Sequence, residues 1–460
     1  VFCGTKETVT VTCPAGQPSM VYRRLLEIAG GETVAADQLG SVLIDPVDAG
    51  AWLAGYNARG DAQKLGLADQ YNIIKRQSGY QLGSVREDHI TGLYGKQLRL
   101  SASQVDRLAE CRLSYFLKYG LRAKERKEAT VDPAEFGTYV HAVLENTAKC
   151  VRDLGGFSAV TLEDTLDIAH RFSDEYAAER FSQLESERVT YLFRRNIREL
   201  DMVVQELWME LKDSLFEPNG FEVNFGGVDG LPPIAVPNNS MNALLRGFVD
   251  RVDTWNHCGN TYYRVVDYKT GRKDFDYCDV FNGVGLQMLL YLFALRDSGD
   301  SMLGERPVPA GVQYFPARAP YISAEGKLTE EDAEKERKAL WKRRGLLLQD
   351  ETVLQAMEPG EVPKRMSYTV RKDGSLSGDL ADRNQLKLLE RYIFRLLGKM
   401  VDDIASGNVE PNPYTRGSSH NACAFCPYGS ICHETHVEGR RNYQAMKPQR
   451  FWEEMEKEMK

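Results

Sequence analysis

The chain has 460 residues, 42% of them hydrophobic and 27% charged, and a net charge of −8. That apolar fraction supports two or three domains with real cores and excludes wholesale disorder. No apolar run approaches the roughly 18 residues of a membrane-spanning helix, and the acidic balance argues against coating nucleic acid by bulk charge while leaving room for a local basic groove.

The first residues, Val1-Phe2-Cys3-Gly4, carry no initiator Met and no basic region followed by an apolar one. The expectation is a fragment of a longer chain, or a processed one, without a secretory signal. Residues 1–96 are Gly-rich and mixed, with a short strand expected at Val9–Thr12 and a helix at Pro18–Ile28. Gly92–Gln97 lacks the spacing and hydroxyl of a phosphate-binding loop, so no ATP-driven motor is expected here. A boundary is expected near Lys96.

From Ser101 the signals sharpen. Ser101-x-x-Gln104 is a capping box opening a helix expected to reach about Tyr119. The basic residues Lys118, Arg122, Lys124, Arg126 and Lys127 follow, and Pro133 starts a helix carrying His141 and Glu145. A long helical region is expected to about Phe216, then strands at Phe221–Phe225, Leu244–Thr254 and Tyr262–Tyr268, where β-branched and aromatic residues alternate. A helix is expected at Val284–Arg296, a strand at Val308–Phe315, and helices at Glu330–Arg344 and Arg383–Ile404. The order predicts an α/β fold with a mixed sheet.

Asp250 and Asp267 fall on two consecutive strands, and Asp267 shares a face with Lys269. Two carboxylates and an ammonium at one edge suit phosphodiester hydrolysis: the carboxylates bind Mg²⁺ and the ammonium orients water or stabilises developing charge. Such charges are also common as solvated strand ends. His141 is a candidate metal ligand, with Glu145 one turn later on the same helix face. Gln287-x3-Tyr291 puts two polar groups on an apolar helix, either satisfied in a core or facing a substrate strand. Glu222 is an optional metal-side carboxylate, more simply a surface charge. Of nine cysteines, Cys423-x2-Cys426-x5-Cys432 forms a compact set that points to metal chemistry in a reducing, cytoplasmic compartment. A fourth ligand could be Cys111, His433 or His436, and a zinc site ending in His433 stays open.

Gly137-x3-His141, Gly247-Phe248-Val249-Asp250, Asp267-Tyr268-Lys269 and Gln287-x3-Tyr291, in this order, resemble the RecB/AddB-type branch of the PD-(D/E)XK nuclease superfamily. The resemblance covers about residues 97–440 well and the first 95 weakly. It implies a mixed-sheet nuclease core flanked by helices over residues 97–460, with a large helical insertion and an iron–sulfur staple, preceded by a remnant of a helicase-like domain at 1–96. It implies Mg²⁺ (or Mn²⁺) on His141, Asp250 and Asp267, catalysis by Lys269, support of the site and strand by Gln287 and Tyr291, and a [4Fe–4S] cluster on Cys111, Cys423, Cys426 and Cys432. Arg112-Leu113 follows the first cysteine where the family usually has Pro-Phe. The implied activity is cleavage of a single DNA strand, the 5′-ended one, fed by a helicase in bacterial double-strand-break repair, with an AddA-type subunit as partner. Closing the Cys111–Cys432 loop with a cluster stabilises by about 5–6 kcal/mol on a chain-entropy argument. Of the basic segments, Lys118–Lys127 is the better phosphate path, and Lys335–Arg344 reads better as a solvated helix face. Rival readings are a DNA-binding scaffold without catalysis, a stand-alone exonuclease of the CRISPR-adaptation type, and a zinc-binding interaction protein.

Overall fold

A computed structural model of the protein describes residues 20–30, 49–50, 53–54, 59–78, 84–124, 133–181, 187–227, 230–238, 240–298, 300–304, 306–319, 329–417, 420–432 and 439–460. The chain divides into two units, Val1–Leu82 and Gly83–Lys460. The first contains helices α1 (Met20–Ala29), α2 (Arg59–Lys64) and α3 (Ala68–Ser78). Ala62 and Tyr71 close a small core there with Leu53 and Ala54. The expected strand at Val9–Thr12 lies outside the described residues.

The second unit opens with α4 (Glu87–Tyr94). It is tied in by the Val85 N–H, which donates to Gly407 O at 2.8 Å, and by Tyr94, which stacks on Tyr115 with ring centroids 6.0 Å apart. Among the described residues, eight strands form one mixed sheet. They are β1 (Gln97–Ser101), β2 (Glu217–Phe225), β3 (Ile234–Ala235), β4 (Asn242–His257), β5 (Asn260–Lys269), β6 (Pro307–Pro316), β7 (Arg344–Leu348) and Leu380–Ala381. β1 runs parallel to β4, β5 to β6, and Leu380–Ala381 to β7, while β2, β3 and β5 pair antiparallel with β4. β4 therefore changes partners along its length, and its middle lies where β2 and β5 flank it.

The β5 side chains alternate as a buried strand requires. Tyr263 and Val265 enter a core shared with Met288, Leu289 and Leu292 of α9 (Gln287–Ser298) and with α10 (Arg383–Ala405). Val266 and Tyr268 enter a second core with Val140 and Leu144 of α6 (Pro133–Asp153) and Val204 and Leu207 of α8 (Glu187–Leu211). Between α6 and α8 lies α7 (Leu162–Phe181). The helical insertion expected to reach Phe216 ends at Leu211, and Phe216 is buried in the first core instead.

α8 is fastened to the strands by charge. Glu210 is fully buried and accepts from Arg251 (3.0 Å), Arg264 (3.1 Å) and Arg343 (2.6 Å). Asp253 accepts from Arg251 and Arg264, each at 2.8 Å, and Glu206 pairs with Arg343 at 3.1 Å. Burial pushes the Glu210 carboxyl up, but the three guanidiniums more than offset this and hold it down at about 2.

Two helices stop short of the sequence expectation. α5 spans Ala102–Glu110, closed at its start by the expected capping box of Ser101 and Gln104. Cys111 is extended (φ −166°, ψ 122°) and the chain restarts as Arg112–Tyr115 followed by a π-turn at Phe116–Gly120. The Arg112 N–H donates to Asn412 Oδ1 at 2.8 Å, a bond outside any helix ladder. The charged helix expected to reach Arg344 covers Glu330–Leu340. Arg343 leaves it to enter the buried network, and Arg344 opens β7, so only the part before Trp341 fits the solvated-face reading.

Candidate active site

Asp250 stands just beyond the first β4–β5 pair, Arg251 with Val266. Its Oδ2 accepts the Tyr268 N–H at 2.7 Å. The Tyr268 carbonyl lies 2.8 Å from His141 Nε2. A carbonyl only accepts, so Nε2 carries a proton, and in the neutral imidazole Nδ1 is then the nitrogen with the free lone pair. That nitrogen is 3.4 Å from Asp250 Oδ2. One residue thus sets two functional groups through its backbone, and its hydroxyl accepts from Arg251 Nη1 at 3.1 Å.

Glu222 completes this cluster. The register Phe221–Arg251 and Val223–Val249 puts it opposite Asp250 on β2. Its φ is +45°, a left-handed conformation that costs a non-glycine residue energy and often marks function. Ligand atoms of His141, Glu222 and Asp250 lie within 4.8 Å of one another. Burial, then the negative charges of Asp250 and Glu145, push the Glu222 carboxyl up to about 7, against a smaller opposing pull from Lys149. Glu145 itself is ion-paired with Lys149. The sequence signal for Glu222 was weak because its position depends on the β2–β4 register.

Asp267 is buried beside the cluster and pairs with Lys269 at 2.5 Å; Lys269 is partly exposed. Burial raises the Asp267 carboxyl to about 6, opposed by Lys269 and reinforced by Asp250. A further acid unmarked by sequence, Asp106 on α5, is raised by burial within electrostatic reach of Lys273 and Lys269. Its Oδ1 accepts the Gly285 N–H at 2.8 Å.

Tyr291 is buried, stacked on Phe225 with centroids 5.7 Å apart. Burial raises its hydroxyl to about 12, while bonds from Gln287 and the Phe248 N–H lower it. A Cβ at Gly247 would lie 1.7 Å from that hydroxyl, so glycine is needed for Tyr291 to reach the backbone of β4. The Gln287–Tyr291 pair therefore holds the strand carrying Asp250 from beneath.

At a separate place, Cys111, Cys423, Cys426 and Cys432 line one cavity of about 20 Å³, together with Pro411 and Pro413. His433 and His436 lie outside the described residues, as do Arg126 and Lys127. Lys118, Arg122 and Lys124 are exposed, and the Tyr428 hydroxyl from the cysteine segment donates to Ala123 O at 2.9 Å.

The donor set fits a divalent cation. An imidazole nitrogen and carboxylates converge, and two of the carboxyls are raised by burial and by neighbouring negative charge, beyond what Lys149 and Lys269 offset. The mixed sheet, the paired acids on β4 and β5 and the lysine two residues on define a metal-type nuclease core. The sequence profile of the PD-(D/E)XK nuclease superfamily matches residues 99–433, and the chain belongs to that superfamily. It is similar to the B subunit of the ATP-dependent helicase/deoxyribonuclease of Clostridium novyi (34% identical over 387 residues, 81% of this chain and 34% of that protein). It is likewise similar to the corresponding B subunits of Acetivibrio thermocellus (32% over 441 residues; 90% and 37%) and Moorella thermoacetica (33% over 450 residues; 93% and 37%). The chain spans about a third of the length of these curated relatives. Among the described residues, no helix is long and apolar enough to cross a membrane.

Proposed function

We propose that this chain hydrolyses DNA phosphodiesters with Mg²⁺ (or Mn²⁺), acting on a single strand delivered by an AddA-type helicase–nuclease subunit during break repair. The observation that carries the reading is the convergence of His141 Nδ1, Glu222 and Asp250 beside the Asp267–Lys269 pair. His141, Glu222, Asp250 and Asp267 would hold the cation. When bound, it supplies Lewis acidity and neutralises charge on the phosphate. Tyr268 keeps His141 in the ligating tautomer and Asp250 in place. Lys269, released from part of its pairing with Asp267, orients the attacking water and stabilises charge developing on the non-bridging oxygens. Gln287 and Tyr291 position β4. Lys118, Arg122 and Lys124, with Arg126 and Lys127, supply phosphate contacts. Residues 1–96 belong to a helicase-like region upstream. The partner and the repair setting rest on the names of the relatives, which are subunits of helicase/deoxyribonucleases.

The deciding experiment is Mg²⁺-dependent degradation of end-labelled linear DNA, wild type beside Asp267→Ala, alone and with the partner subunit. Cleavage lost in the variant supports the reading. Equal cleavage by both overturns the site.

The same proposal assigns a [4Fe–4S] cluster to Cys111, Cys423, Cys426 and Cys432. Its support is that all four line one cavity although Cys111 is more than 300 residues away in sequence. The cluster would act as a staple without redox turnover. Cys426→Ala is expected to lower both iron content and melting temperature in protein purified without oxygen; unchanged values for both would remove the assignment.

A further inference from the structure

Phe248 is out of place by the rules of burial. Its neighbours Val249 and Leu245 are buried, yet Phe248 is 53% exposed on a central strand. Among the described residues it shares high exposure with one other phenylalanine, Phe425, and it makes no aromatic ring contact. Residues i and i+2 of a strand share a face, so Arg246, Phe248 and Asp250 form a row along β4, successive members about 6–7 Å apart. The backbone of Phe248 is fixed from below by Tyr291. Asn224, on β2, is its cross-strand partner, two residues from Glu222.

Arg246 is prepared in the same way. A Cβ at Gly226 would come within 2.8 Å of Arg246 Cγ, so the glycine lets the arginine stem lie flat against the chain. Gly226 has φ +80°, which suits it to that turn. Among the described residues Arg246 has no ion pair, and its Nε is buried without a hydrogen-bond partner. A cation, an exposed ring and a metal-site carboxylate therefore lie in line at roughly the spacing of consecutive nucleotides.

We propose that Arg246 and Phe248 bind the single strand next to the cleaved bond, the ring stacking on a base and the guanidinium taking a neighbouring phosphate. Stacking on an aromatic ring tolerates every base, which suits an enzyme that processes strands of any sequence. The proposal rests on the nuclease reading for its orientation. The strand would run along β4, with the nucleotide on Phe248 one step from the phosphate at Asp250.

The test is binding of a labelled single-stranded dodecamer to the intact protein in Ca²⁺, with an abasic nucleotide moved along the strand. Wild type should lose affinity when the abasic nucleotide reaches one particular position. Phe248→Ala should bind the intact strand about 5- to 150-fold more weakly and be indifferent to the abasic nucleotide at that position. Phe248→Trp should restore both behaviours. Arg246→Gln should lower the salt slope of binding by about one charge. Wild type indifferent to the abasic nucleotide everywhere, or Phe248→Ala binding like wild type, overturns the proposal. Loss of affinity in Phe248→Ala without loss of abasic sensitivity overturns it as well and points to a folding or protein-contact role. Failure of wild type to cut in Mg²⁺ while the binding contrasts hold would remove the nuclease reading and leave this strand contact standing.

Discussion

Two charged clusters occupy neighbouring positions on β4 and β5 and behave oppositely. Arg251, Asp253 and Arg264 meet Glu210, Arg343 and Glu206, three cations against three acids, with Arg264 Nη1 the one guanidinium nitrogen of the set buried without a partner among the described residues. One residue from Arg251 on β4, Asp250 meets Glu222 and His141; three residues from Arg264 on β5, Asp267 lies beside them with Lys269 as the near cation. In the first cluster burial is offset and Glu210 is driven down to about 2. In the second, burial and like charge drive Glu222 up to about 7 and Asp267 to about 6. A buried network that satisfies itself holds a structure together; one left with surplus negative charge is prepared for a cation. Tyr268 joins the two, bonding Arg251 with its hydroxyl and His141 and Asp250 with its backbone.

The contrast can be broken from either side. The largest expected effect is on activity: Asp250→Ala should lower DNA cleavage by more than about 100-fold, the upper range for losing a mere outer-shell partner, with little change in melting temperature. A variant cutting at the wild-type rate would remove Asp250 from the site. Next comes Glu210→Ala, which strands three buried guanidiniums and should cost about 3–5 kcal/mol in denaturant unfolding while leaving divalent-cation affinity of the folded protein unchanged. A shift below about 1 kcal/mol would mean the network carries no stability.

The pH dependences of the two clusters should have opposite signs. The Glu210 carboxyl is lower in the folded than in the unfolded chain, so its stabilisation is present above about pH 4.5 and is lost as pH falls toward 2. Glu210→Gln should flatten the acid limb of the stability curve. The Glu222 carboxyl is higher in the folded chain, so without metal it weakens the fold as pH rises from about 4.5 to 7. The smallest predicted effect follows: Glu222→Gln should stabilise the metal-free protein by about 1 kcal/mol at about pH 8 and not at about pH 4.5, after allowance for solvent screening. It should also gain less from added Mg²⁺ than wild type does. Equal Mg²⁺ stabilisation of both proteins would remove Glu222 from the metal.

Within the candidate site, the pairing of Asp267 with Lys269 was legible in sequence because the two sit two residues apart on one strand, where one-dimensional spacing carries over into a shared face, whereas Asp250 comes beside them through the pairing of β4 with β5. The capping box at Ser101 was legible for the same local reason, since its two bonds close within four residues. Glu222 could be read only as an optional metal-side carboxylate and more simply as a surface charge, because its place beside His141 and Asp250 comes from the pairing of β2 with β4 and a left-handed backbone. The break at Cys111 and the exit of Arg343 from the charged helix were equally hidden: each is decided by a partner far away in sequence, Asn412 in one case and Glu206 and Glu210 in the other. Sequence alone therefore determined the strand–acid–lysine pattern and with it the superfamily. Tertiary structure decided which charges are left without a partner, since that is a sum over neighbours that only folding brings together.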